Sequence, residues 1–598
     1  MTVNRAALML AVTVLTVPLL TLRAGARQGT ASAPARPSPA IGQAGSADWP
    51  LHNLDLRNSR YSALARINTT NVSTLVQKWS FEATESILQM TPLVVSGTMY
   101  LNAGSKVYAV NGATGRTLWT LDLEPKFAGR QRGPAYGDGI LYVYGPSMMY
   151  AIDAKTGKPV GSFGANGALP IVRKALRFKY PGKYAQDLDT TTIGYSMTNP
   201  PMYYNGTLYV GVPFSDSHVP GGLLIAADAK TGTIKWVFTT IPQGPADSGW
   251  DIARDTWGSG AKVGGGIWTT PAIDPELGLL YFNSTNPSPA FDGSARHGSN
   301  LFTNSVIALH LDTGMLAWYY QGLHHDLWDW DLATGPILFD VVAGGKTIKG
   351  IAAPGKTCYL YLWNRETGRP LNPMVETPVP TTTDVPGEQV SPTQPIPYTS
   401  RGMPQTPFCM VYPNVTNPEL AKLVKPTFYP YQVNEFVITS PGNQGGSNYG
   451  GPSFSPRTGL MYVTGKNDAF SIKVRPMGDA GRAGPGARAM FSNIGGRGDT
   501  GVTLSTTVAA YEPASGQQVW YAELPKLTNG GNVATAGDLV FQGTGGGQLF
   551  ALDARSGKVL FTFDVKAPVS ASPLTYQTGG TQYVSVVAGK TVFTLALP

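Results

Sequence analysis

From Asp48 onward the chain is a succession of short, apolar, β-favouring runs, each cut off by a polar turn. One repeat organises them. A strand ends in Ala-x-Asp or a close variant, a turn closes on Thr/Ser-Gly, and a short strand follows that often ends in Trp. Copies run from Ala109 to Gly115 with Trp119, Ala151 to Gly157, Ala227 to Gly232 with Trp236, Leu311 to Gly314 with Trp318, Trp363 to Gly368, Ala510 to Gly516 with Trp520, and Ala551 to Gly557. A weaker copy spans Ser455 to Gly459. Asp or Asn opens such a turn through its side-chain oxygen, and Gly takes the left-handed position. The Trp then has a flat apolar face to pack between neighbouring sheets. Seven clear copies and one weak copy predict an all-β fold, an eight-bladed β-propeller with tryptophan-docking-type repeats, over residues 48–598.

The shortest spacings, Gly115 to Gly157 and Gly516 to Gly557, match one four-stranded blade, so longer gaps are insertions. The longest, from about Pro370 to Gly450, carries Thr377-Pro378-Val379-Pro380 and Ser391-Pro392-Thr393-Gln394-Pro395. It is predicted to be an irregular, Pro-stiffened excursion over one face. A second insertion, Gly481 to Gly498, is rich in Gly and Arg.

Composition agrees with a turn-rich β protein. Of 598 residues, 71 are Gly and 48 Pro, and only 14% are charged, while the 42% hydrophobic fraction excludes disorder. The net charge of +8 comes from dispersed Lys and Arg without a nucleic-acid motif, which points instead to an anionic or electron-carrying partner. Residues 1–26 read as a secretory signal peptide: Arg5, the apolar run Ala6 to Leu22, then Arg23 and the small residues Ala24-Gly25-Ala26. A membrane anchor is the competing reading, but the run is at the short limit for spanning. Residues 27–47 read as a flexible linker, and the expected location is periplasmic. Cys358 and Cys409 are the only cysteines, and their spacing does not decide whether they pair. No C-x-x-C-H occurs, so these residues attach no c-type haem.

Three segments concentrate the candidate chemistry: Gly264-Gly265-Gly266-Ile267-Trp268, Asn286-Pro287-Ser288-Pro289, and His325-Asp326-Leu327-Trp328-Asp329-Trp330-Asp331. Carboxylate, carboxamide and indole are what a site needs to hold a hard cation beside a flat anionic cofactor. The plainer alternatives are inter-blade packing for Trp268 and Trp328, a turn at Asn286, and turn caps at Asp329 and Asp331. His324 and His325 lack further ligands at zinc spacing.

These segments, the repeats, and the stretch Arg60-Tyr61-Ser62-Ala63-Leu64 with Asn71-Val72 and Trp79 resemble the PQQ-dependent quinoprotein alcohol/glucose dehydrogenases, over nearly all of 48–598. The resemblance implies pyrroloquinoline quinone (PQQ) in the propeller funnel, with Ca²⁺ or a lanthanide beside it. It implies oxidation of an alcohol or sugar hydroxyl by hydride transfer to PQQ, with Asp329 as catalytic base. Electrons then pass to a separate periplasmic cytochrome c or a membrane quinone. By the same resemblance Trp268 floors the PQQ rings and Lys356 reaches the quinone oxygens. Arg132 and Thr198 contact the cofactor, and Asn467 and Asn529 lie on the far side of the pocket. Asn286, Asp329, Asp216 and Asp331 are the implied metal ligands.

Two departures stand out. The family's metal-binding Glu is missing from Gly211 to His218, leaving Asp216 as its substitute, with Ser217 the other count. The family's vicinal disulfide is also absent, and its place falls near Lys126-Phe127. The rival function is a non-catalytic propeller, a scaffold or binding protein of the outer-membrane assembly type, which shares the repeats.

Overall fold

A computed structural model describes residues 47–598, except 129–130, 216, 476–492 and 497–499. The predicted signal peptide, almost all of the linker, Asp216, and most of the Gly481 to Gly498 loop lie outside the described residues.

The turns account for the architecture. Asp153 Oδ1 accepts from the Thr156 backbone N–H at 2.8 Å and its hydroxyl at 2.7 Å, and Gly157 N–H closes on Asp153 O. Gly157 is left-handed, with φ +71°. A Cβ there would come within 2.7 Å of the Trp119 ring, whose Nε1 donates to Ala154 O at 3.1 Å. The same joint recurs as Trp79 on Gly115, Trp236 on Gly314, Trp318 on Gly368 and Trp520 on Gly557. Each indole donates to the carbonyl three residues before its glycine. So each repeat's Trp docks on the next sheet's turn, and Gly is the residue that leaves room. Leu169 takes the indole's place against Gly232.

Eight blade sheets result, as the repeats predict, antiparallel except that Tyr61–Ser62 pairs in parallel with Asn532–Thr535 of the seventh. Their innermost strands are Leu93–Val95, Ala135–Gly137, Met202–Tyr204, Ala272–Asp274, Ile337–Ala343, Ser453–Ser455, Asn532–Thr535 and Leu574–Thr578, in blades 1 to 8. The outer strand of blade 8 is the early segment Val76–Glu82, paired with Thr591–Ala596, so the start and end of the propeller share one sheet. Apolar side chains of facing sheets form the core between blades.

The Pro370 to Gly450 insertion departs from expectation. It is not irregular throughout: Met374–Pro378 and Thr393–Pro397 form a hairpin, and Val437–Thr439 pairs with Phe470–Val474. Pro378 and Thr393 pair at the end where the 379–392 loop joins the two strands, and Pro378, Pro395 and Pro397 lie within the strands themselves, so the prolines are part of a sheet instead of replacing one. Among the described residues no helix is long and apolar enough to cross a membrane.

Candidate active site

Strand direction gathers the site. Arg132, Thr198, Trp268, Asp331 and Asn529 each lie a few residues before an innermost strand. Asn286 and Lys356 lie just past the end of a second strand, and Asn467 is the last residue of one. First and second strands are antiparallel, so the start of one and the end of the next meet at the same end of the ring.

Four predicted residues form one buried chain there. Lys356 Nζ lies 2.9 Å from Asp329 Oδ1 and 2.8 Å from Asp331 Oδ1, and donates to Asp329 O at 2.8 Å. The other Asp331 oxygen accepts from Trp268 Nε1 at 3.2 Å. Asp331 is fully buried and the other three nearly so. Lys356 is thus an ammonium held between two carboxylates, with its stem seated against Gly445. The next turn is tied down by the disulfide Cys358–Cys409, a pairing that spacing left open.

The Trp268 indole sits in an aromatic and cationic frame. Phe214 meets it edge-on at 4.9 Å, and the Arg132 guanidinium lies 4.6 Å from its ring centre and 4.5 Å from that of Tyr449. Arg132 Nη1 donates to Trp268 O at 2.7 Å. Tyr144 joins the Arg132 and Thr198 segments, accepting from Arg132 N at 2.9 Å and donating to Thr198 O at 3.1 Å. Thr198 Oγ1 is buried with no partner among the described residues. An indole face, a buried guanidinium and an unpartnered hydroxyl fit a flat polyanion such as PQQ.

Asn286 Oδ1 accepts from the Ser215 hydroxyl at 2.7 Å. Asp216, its predicted neighbour at the metal, lies outside the described residues. Asn286, Asp329 and Asp331 offer the oxygen donors a hard cation takes. Among the described residues no group of three or more His, Cys, Asp or Glu could hold a metal.

Asn467 Oδ1 accepts from Met410 N of the long insertion, and its Nδ2 donates to Ser505 Oγ and Tyr521 Oη of its own blade. Asn529 Oδ1 accepts from Lys466 Nζ at 2.6 Å. Lys466, a buried cation also bonded to Gln444 O, went unnoticed in the sequence. The signal was available: a Lys directly before Asn467, within an otherwise uncharged strand.

The loop that presents Asp329 is shaped by Asp326. Its carboxylate accepts from Trp328 N at 2.8 Å, Trp330 N at 2.9 Å and Asn304 Nδ2 at 3.0 Å. Asp326 is therefore the turn cap, a role that the bare sequence allowed Asp329 and Asp331. Burial pushes its carboxyl up to about 6, only partly offset by the Trp328 N–H, Asn304 and the charge of Arg296. Trp328 stacks on Trp330 at 5.4 Å and both meet Phe428, so Trp328 is packing. His324 and His325 bond to Glu376 and Glu388 of the long insertion. Phe127 packs on Tyr150, with its ring over Gly145.

Comparison with known proteins agrees with this geometry. Residues 49–499, more than half the chain, match the family model described as PQQ, glucose/ethanol/alcohol dehydrogenase, beta-propeller domain. Residues 505–595 match the model of the outer membrane protein assembly factor BamB. The chain belongs to the PQQ-dependent dehydrogenase family: it is a quinoprotein oxidoreductase built on an eight-bladed propeller. It is 29% identical to the quinohemoprotein alcohol dehydrogenase of Comamonas testosteroni, across 91% of this chain and 72% of that protein. It is also 29% identical to the 1-butanol dehydrogenase (cytochrome c) of Thauera butanivorans, across 91% and 74%. The crystal structure of the Comamonas testosteroni enzyme superposes with a TM-score of 0.72 at 26% identity, covering 92% of this chain and 80% of that one.

Proposed function

We propose that this dehydrogenase oxidises an alcohol hydroxyl, with Asp329 as the base. The carrying observation is the buried Asp329–Lys356–Asp331–Trp268 chain at one end of a propeller of this family. Bound PQQ would supply the two-electron acceptor, and a bound hard cation would supply Lewis acidity. Trp268, Arg132 and Thr198 would hold the cofactor, with Asn467 and Asn529 beyond them. Asn286 and Asp329 would hold the metal, with Asp216 and Asp331 as further donors. Asp331 has Lys356 beside one oxygen and Trp268 Nε1 on the other, and its remaining lone pairs leave it free to serve as a further donor.

Asp329 is suited to take a substrate proton. Its φ of +61° turns it out of the regular backbone, and the Lys356 amine lies against its carboxyl at 2.9 Å. The same ammonium offers positive charge to a developing oxyanion. Alcohol is favoured over aldose because the relatives above are named alcohol dehydrogenases. For the electron acceptor we propose a separate cytochrome c or a membrane quinone, a reading supported by the relative named 1-butanol dehydrogenase (cytochrome c).

The test is reconstitution of the purified protein with PQQ and either Ca²⁺ or a lanthanide. A bound quinone absorbance band with dye reduction by alcohols, and weaker reduction by aldoses, supports the proposal. No bound quinone with either metal returns the chain to the scaffold reading.

A further inference from the structure

The long insertion does more than cover the site. We infer that Glu388, carried on that insertion, is a positioning residue for Asp329, acting through His325. The inference rests on Asp329 being the base.

Glu388 Oε1 lies 2.7 Å from His325 Nε2, and Oε2 accepts from Gly293 N at 2.6 Å. Both side chains are closed to solvent, at 1% and 2% exposure. The other His325 nitrogen faces Gly298 O at 2.8 Å. The His325 ring is thus gripped at both nitrogens, by a carboxylate on one side and a backbone carbonyl on the other. Burial raises the Glu388 carboxyl, but the hydrogen bond and charge of His325, with Arg296 and Gly293 N–H, outweigh it and keep it ionised.

The pair closes on three segments at once. Gly293 follows Asn286 in the same loop. Arg296 in that loop donates to Pro289 O and, at 2.6 Å, to Asp326 O. His325 opens the turn that Asp326 caps and Asp329 ends. His325 and Asp329 are both left-handed, at φ +46° and +61°, a conformation side chains hold only where surrounding contacts over-determine it. The insertion supplies those contacts. Besides Glu388, Gln394 grips His324 through both N–H and carbonyl, at 2.9 and 2.8 Å. A Cβ on Gly293 would come within 2.4 Å of His325 Nε2 and 2.9 Å of Glu388 Oε1, so only glycine lets the pair meet.

The experiment uses holoenzyme loaded with PQQ and metal, as wild type, Glu388→Gln and Gly293→Ala. Glu388→Ala would leave the buried His325 Nε2 without its partner, open a cavity and threaten folding; Glu388→Gln keeps the volume. Both tested variants are expected to lose at least about tenfold in kcat for alcohol, the scale of a base displaced by a fraction of an ångström. The PQQ dissociation constant should stay within about twofold, because Trp268, Arg132 and Thr198 are untouched. Hydrogen exchange at the Trp328 and Trp330 amides should quicken at least about tenfold. Wild-type kcat or wild-type exchange in Glu388→Gln overturns the inference. So does a kcat loss matched by an equal loss of PQQ affinity, which would mean general loosening. Should the wild type oxidise no alcohol, the functional proposal falls; the exchange measurement, which needs no turnover, still decides whether Glu388 orders the loop.

Discussion

The joints between blades and the loop that carries Asp329 are held on opposite plans. A joint is local and repeated: Asp153 bonds three residues away, Trp119 reaches 35 residues to the next turn, and four other joints copy it. The Asp329 loop is singular and distant. His325 is held from 63 residues away, His324 from 70, Trp328 from 101 and Trp330 from 112. A repeated joint spreads stability around the ring. A singular clasp concentrates precision at one place, where the backbone is left-handed and the charges are buried. Damage to the first should cost stability and spare chemistry; damage to the second should do the reverse.

The largest contrast comes from Asp329→Asn. A carboxamide cannot take the proton, so turnover should fall by about 10²–10⁴ while the melting temperature stays close to wild type. Dye reduction and calorimetry check this, and wild-type turnover would remove Asp329 from the base role. Trp268→Ala comes next. It strips the indole face, frees Asp331 Oδ2 and leaves Arg132 without one of its two rings. PQQ affinity should weaken by about 1–3 kcal/mol, read by titration of the quinone band. An unchanged dissociation constant would make Trp268 a packing residue like Trp328.

Gly314→Ala probes the other plan. Its Cβ would meet the Trp236 ring at 2.5 Å in a left-handed backbone, so stability should drop by about 1–3 kcal/mol with kcat unchanged. A fall in kcat matching the fall in stability would erase the distinction between joint and loop.

The last contrast is in pH dependence, which no single temperature scan reveals. Asp326 sits near 6 in the fold against 3.8 as the ordinary value, so the native state binds its proton first. Its contribution is fully present below about pH 3.8 and is lost as pH rises through 6, on the order of 3 kcal/mol. Glu388 lies below its ordinary value and contributes in the opposite sense, losing its share as pH falls through its folded value. Melting temperatures of wild type and Asp326→Asn from pH 4 to 7 separate the two. The variant should lose the downward slope toward pH 6, whatever its absolute stability.

Much of this was legible in the chain because the information is short-range. The Asp-x-x-Thr-Gly turns bond within three or four residues, and their period counts the blades. The segments at Trp268, Asn286, Asp329 and Lys356 were found by their wording and order. Glu388 was not: nothing around it distinguishes it from other acids of the insertion, and its meaning is the histidine that it meets. Two adjacent histidines without metal ligands were a usable hint, since buried imidazoles must find acceptors. Asp326 was overlooked beside Asp329 because an Asp-x-x-Asp-x-Asp run does not say which carboxylate faces inward.

The sequence alone determined the all-β ring, its eight blades and the segments that would meet at one end, because alternating strands and fixed turns need only near neighbours. Only the tertiary structure decided that Lys356 lies between Asp329 and Asp331, that Cys358 pairs with Cys409, and that an insertion grips the Asp329 loop. Those contacts join residues 25 to 112 positions apart, among them Lys356 with Asp331 and Trp330 with Gly442. Their partners are chosen by how the ring closes and by which buried charges must be neutralised once water is gone.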